Sequence, residues 1–137
     1  MRLTLLGALA LAVVVSGCSK DNPTAPSANV PFSTVDVRVG TGTEATTGRL
    51  VQVNYSGYLY SATAAENKGT PFDAGTFPFT VGTGVIPGFS QGVQGMRVGG
   101  IRRVIIPPNL GYGAQGSPPA IPGNATLVFD IELLAVQ

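Results

Sequence analysis

Nineteen glycines and eleven prolines punctuate this chain of 137 residues, and their spread restricts the fold more than any other feature. Proline breaks a helix interior and cannot pair inside a central strand, while glycine costs the most backbone entropy to order. Short apolar runs between turns remain, which points to a turn-rich β protein with short connections. Aromatics at 7% and charged residues at 11% suit that class. Disorder throughout is a poor expectation, because Val, Ile, Leu and Phe recur in alternating runs. The length allows one domain of about 100 residues with a single core.

The first residues read as an address. "MRLTLLGALALAVVVSG", residues 1–17, carries one Arg and then an apolar run from Leu3 to Val15. That run is short for a bilayer-spanning helix of about 20 residues and fits a secretory signal. "VSGC" at Val15 to Cys18 resembles the bacterial lipobox, in which the Cys is lipidated and becomes the mature N-terminus; Cys18 is the sole cysteine. Residues 18–32 then form a polar, Pro-containing tether without periodicity. Ser19, rather than Asp, after the Cys leans toward the outer membrane. The expected location is a membrane-anchored lipoprotein facing the periplasm, or the cell surface in an organism without an outer membrane.

From Ser33 to the end at 137 the signals are those of one folded domain, mostly strands. "STVDVRV" alternates, with Val35, Val37 and Val39 on one face. "RLVQVNYSGYLY" puts Val51, Val53 and Tyr55 together. "SATAAENKGTP" reads as a long polar loop and "FPFTV" as a short strand. "IPGFSQGVQGM" sets Phe89, Val93 and Met96 at helical spacing, and its glycines limit the helix to about two turns. "GGIRRVIIPP" is a strand stopped by Pro107-Pro108. "ATLVFDIELLAV" places Leu127, Phe129, Ile131 and Leu133 on one face. The expected class is α+β: a curved antiparallel β-sheet wrapped around one short α-helix.

Composition removes several function classes. There is no His, so a Ser-His-Asp triad, a Cys-His dyad and a His-ligated metal are excluded. No metal or cofactor is expected, and one Cys cannot make an internal disulfide. The formal charge is +1; loss of the leader takes away Arg2 and leaves seven basic against seven acidic side chains. That balance argues against a nucleic-acid partner. Arg102-Arg103 reads as an exposed strand face, and Asp130 with Glu132 as a solvated one. "VGTGVIPG" lacks the spacing of a nucleotide loop. Asp73, after Phe72 and before Ala74-Gly75, reads locally as a turn-former.

Four segments together resemble the FKBP-type peptidyl-prolyl isomerases: "VNYSGYL", "PFDAG", "VIPGFSQGVQGMRVGG" and "PPNLGYGAQGSPPAIPGNATLVFDIELL". They occur in the family's order and span Val51 to Val136. The resemblance implies the same curved sheet and single helix. It also implies an apolar groove for proline built from Tyr55, Phe72, Phe77, Val85, Ile86, Phe89, Ile121 and Phe129. In it the Ile86 amide would receive a ligand carbonyl, and Asp73 and Tyr112 would be the polar, catalytic groups. On that reading the loop carrying Tyr112 and Ile121 is a flap whose apolar groups wall the groove rather than fill the core. Tyr112 would hold a substrate carbonyl; Asp73 would orient Tyr55 or favour the rotated amide.

The chain departs from compact family members in four places. The loop from Tyr60 to Pro71 is longer. The stretch from Asp73 to Phe77 is shorter and lacks an Arg. Phe89 stands where Trp is common, and Ala120 where a larger aliphatic is common. The resemblance implies a monomeric isomerase of X-Pro bonds in extracytoplasmic polypeptides, with macrolides as candidate inhibitors and the membrane reached through Cys18. The competing expectation is a non-catalytic module or chaperone that holds proline segments in the same groove.

Overall fold

The computed structural model describes residues 30–137. The leader, Cys18 and most of the tether lie outside the described residues. Five strands form one antiparallel sheet: β1 (Ser33–Arg38), β2 (Leu50–Tyr60), β3 (Lys68–Thr80), β4 (Ile101–Ile106) and β5 (Leu127–Val136). Their spatial order is β1-β4-β5-β2-β3, and the one α-helix among the described residues, α1 (Pro87–Val93), packs on the inner face.

The last strand behaves as its alternation predicts. Leu127, Phe129, Ile131 and Leu133 are all buried, opposite Val104 on β4 and Val53 on β2. Each such side chain withdrawn from water stabilises by roughly 1.5–3 kcal/mol. Phe89, Val93 and Met96 cover this face from α1 and the turn after it.

Helical glycines do more here than shorten the helix. A Cβ on Gly92 would sit 2.7 Å from Val104 Cγ2, and one on Gly88 would collide with Ile106. Both glycines let the helix backbone lie directly on β4. The helix ends under Arg102, whose guanidinium donates to the Gly92 and Gln94 carbonyls at 2.9 and 3.1 Å and pairs with Asp36 at 2.8 Å. A cation there satisfies carbonyls left without helical partners.

Three sequence expectations change. Arg102 and Arg103 are not a shared exposed face, because neighbours in a strand point opposite ways. Arg103 lies on the outer face with Asp130 at 2.9 Å and Glu66 at 2.7 Å, and those carboxylates raise its already high pKa. Lys68 joins them through Asp130 and lies over the Tyr58 ring.

The expected long loop is the second change. The connection after β2 covers only residues 61–67 and contains one 3₁₀ turn, Ala65–Asn67, before β3 runs on for 13 residues. The network of Lys68, Glu66, Arg103 and Asp130 fastens this turn to the sheet. The third is β1. Its pairing with β4 shifts between Asp36 and Arg38, so the alternation breaks and Val35, Val37 and Val39 do not share a buried face. They are 58%, 50% and 73% exposed.

Candidate active site

The cavity lies at the β2, β3 and β5 end of the inner face, between the sheet, the start of α1 and the loop after β4. Its volume is about 230 Å³. Tyr55 projects into it from β2. The edge of Phe77 meets its ring at 5.3 Å and that of Phe89 at 5.9 Å, centroid to centroid. Phe129 from β5 stands perpendicular to Phe72 at 5.6 Å and to Phe89 at 5.2 Å. Such edge-to-face pairs contribute about 0.5–1.5 kcal/mol each beyond burial. The rings hold one another, so the wall needs no ligand to keep its shape.

Two consecutive residues of β3, Phe72 and Asp73, both line the cavity. In a regular strand they would face opposite sides. The register explains the exception: Gly57 pairs with Asp73 and Tyr58 with Pro71, leaving Phe72 as an extra residue. A bulge of this kind re-aims side chains. Gly57 completes the arrangement, since a Cβ there would lie 2.7 Å from Phe72 Cζ and 2.8 Å from Phe129 Cε1.

Asp73 has no ion-pair partner among the described residues. Its Oδ2 accepts the Tyr55 hydroxyl at 2.6 Å and its Oδ1 accepts the Ala74 amide at 2.9 Å. A neutral phenol, not a cation, is thus the side-chain partner of Asp73 among the described residues. Burial pushes the Tyr55 pKa up to about 12, with the hydrogen bond to Asp73 and its negative charge adding to the effect. Tyr55 therefore stays protonated through neutral pH, committed to Asp73.

Tyr112 stands at the rim, 39% exposed, and its hydroxyl has no hydrogen bond among the described residues. Val85, Ile86 and Gly84 close the side facing the helix. Gly84 holds φ +81°, a left-handed conformation that other residues adopt at a cost. The preceding turn is tied to the helix, with the Gly82 amide donating to the buried Ser90 hydroxyl at 2.5 Å. Nothing local in the sequence marks Gly57, Gly84 or Ser90 as parts of the site; Gly57 is set by Phe72 and Phe129, Gly84 by its positive φ and Ser90 by its bond to Gly82.

Ile121 differs from expectation. It is 4% exposed, belongs to the core cluster and does not line the cavity. Ser117 and Ile121 exchange backbone hydrogen bonds at 2.8 and 3.0 Å, and the Asn124 amide donates to the Gly113 carbonyl at 2.8 Å. The flap is a loop bonded to itself, and Ile121 is the peg that fastens it to the core. Tyr112 is left to face the cavity. The other nine expected groove residues gather around this one space, while Cys18 lies outside the described residues.

The arrangement offers apolar walls with one carboxylate and one hydroxyl at the rim. The sequence pattern of FKBP-type peptidyl-prolyl cis-trans isomerases matches residues 41–134. The 39 kDa FK506-binding nuclear protein of Drosophila melanogaster is 47% identical over 107 residues, covering 75% of this chain and 29% of that protein. Human peptidyl-prolyl cis-trans isomerase FKBP2 is 44% identical over 96 residues, covering 66% of this chain and 64% of that one. The chain thus spans less than two thirds of both relatives. The crystal structure of a peptidyl-prolyl cis-trans isomerase from Pseudomonas syringae pv. tomato superposes with a TM-score of 0.66 at 31% identity, over 77% of this chain and 75% of that one. Together with the sheet order and the aromatic cavity, these matches show that the chain belongs to the FKBP-type peptidyl-prolyl cis-trans isomerase family.

Proposed function

We propose that this protein accelerates cis–trans isomerisation of X-Pro bonds in polypeptides outside the cytoplasm, as a monomer tethered to the membrane through Cys18. One observation carries the catalytic part: an aromatic cavity of about 230 Å³ whose only formally charged lining residue is Asp73. Peptide rotation faces a barrier of about 18–20 kcal/mol because resonance makes the C–N bond partly double. In the twisted transition state that resonance is lost and the carbonyl oxygen carries less negative charge. Apolar aromatic walls therefore suit the twisted amide better than the charge-separated planar one. No bond to carbon forms, so no nucleophile is needed.

The polar groups have separate tasks. The Tyr112 hydroxyl is open to donate to a substrate carbonyl and hold the chain while the bond turns. Asp73 fixes the Tyr55 ring through the 2.6 Å hydrogen bond and sets the shape of the wall. A macrolide would place one ring in the same space and the rest over the rim, since the cavity is below the roughly 300–1,000 Å³ usual for drug-sized ligands.

A coupled proline-isomer assay on a short X-Pro peptide tests the catalytic reading. Saturable turnover is expected; binding of the peptide without any acceleration would make this a proline-holding module. The anchor is tested by metabolic labelling with a fatty acid. Label should disappear in Cys18→Ser, and equal label in mutant and parent would remove the lipoprotein reading.

A further inference from the structure

The stretch before the domain contains the chemistry that the cavity takes. "NPTAP", residues 22–26, offers two X-Pro bonds, Asn22-Pro23 and Ala25-Pro26. A third, Val30-Pro31, directly precedes Phe32, which packs against the core and so holds that bond away from the cavity.

The register brings the start of the domain close to the cavity. Thr34 on β1 pairs with Val104 on β4, which pairs with Phe129 on β5. Phe129 lines the cavity. With strands about 4.8 Å apart, Thr34 and Phe129 are separated by roughly 10 Å across the sheet. Direction matters as much as distance. Ser33 pairs with Ile105, near the end of β4 that leads through Pro107 to Tyr112. The chain before β1 therefore enters at the same end of the sheet as the flap.

Phe32 is fixed on the core; Pro26 lies six residues before it and Pro23 nine. At about 3.3–3.6 Å per residue these lengths reach at most about 22 and 32 Å. Both exceed the roughly 10 Å between Thr34 and Phe129 across the sheet. Joining a ligand to its site by a short linker supplies an effective concentration on the order of millimolar.

We propose that the segment 22–26 occupies the chain's own cavity through an X-Pro bond and competes with polypeptide substrates. This inference rests on the cavity's being a proline site. Occupation in cis covers exposed aromatic surface when no substrate is present. It also raises the apparent KM without changing the rate of the bound substrate.

The test uses the full chain in detergent micelles, as parent and as the double variant Pro23→Ala with Pro26→Ala. If self-affinity is at or below the effective concentration, half or more of the cavities are filled. The variant's KM for a short X-Pro peptide should then fall about twofold or more at unchanged kcat. Amide and ring resonances of Tyr112 and Phe129 should differ between the two proteins, and the difference should persist on dilution. Equal KM and equal resonances would overturn the proposal. A difference that vanishes on dilution would overturn it too, by assigning the contact to a second copy. A parent without turnover but with dilution-independent shifts at Tyr112 and Phe129 would support the capture while removing the isomerase reading.

Discussion

Tyr55 and Asp73 depend on each other, and each gives a prediction. The Tyr55 pKa is raised by burial and by Asp73 to about 12, from an ordinary value of 10.0. A raised acid is neutral when folded, so its contribution to stability is complete below pH 10. It is lost as pH climbs from 10 through about 12. Denaturant melts should show this loss in the parent and a smaller one in Tyr55→Phe; parallel pH profiles would mean that the phenol does not sense folding. Asp73 is exposed and both of its hydrogen bonds lie at the surface. Asp73→Leu should therefore keep stability within about 1 kcal/mol, because water can replace a surface partner. Turnover should fall by roughly tenfold, equivalent to about 1.4 kcal/mol. Full activity in a well-folded variant would take Asp73 out of the mechanism. Side chains such as Tyr55, Phe129 and Tyr112 were legible because each sits in a recognisable segment. Gly57 was not, because its role is set by Phe72 and Phe129, which reach it from two other strands.

Alternation and spacing located β5 and α1, where burial on one face decides the pattern. They also placed strands at β1 and at the end of β3, but not the exposed face of the first or the early start of the second, where pairing decides the pattern. A register shift at Asp36 to Arg38 is invisible in "STVDVRV", since the sequence alternates whether or not the pairing does. Likewise "SATAAENKGTP" has the composition of a loop, yet Lys68 onward is held in the sheet by β2 and by the bonds of Lys68 to the outer face. The helix offers the sharpest test at this scale. Gly92 touches β4 with no space for a methyl group. On an isolated helix Gly92→Ala would stabilise by about 1 kcal/mol. Here the helix must shift from Val104, and overpacking of this kind costs typically 1–3 kcal/mol. A lower Tm is expected; a higher one would mean that the helix stands further from β4 than the contact implies.

The whole molecule divides its labour between the two sides of one sheet. Ion pairs crowd the outer face, where Lys68, Arg103, Glu66 and Asp130 fasten the turn at Ala65–Asn67. The inner face carries the core and, at one end, the cavity. In the cavity the single carboxylate is partnered by a neutral phenol rather than a cation. Mobile ions weaken attraction between opposite charges, with a screening length of about 10 Å at 0.1 M salt, but a phenol offers them no charge to screen. Turnover of an uncharged X-Pro peptide should therefore stay within about twofold between 0.05 and 1 M salt, a span chosen to shorten the screening length to about 3 Å; a steep fall would reveal an ionic partner for Asp73. Changes of ionic strength would then leave the pace of the proposed reaction unaltered, because among the described residues Asp73 has no counter-ion to lose.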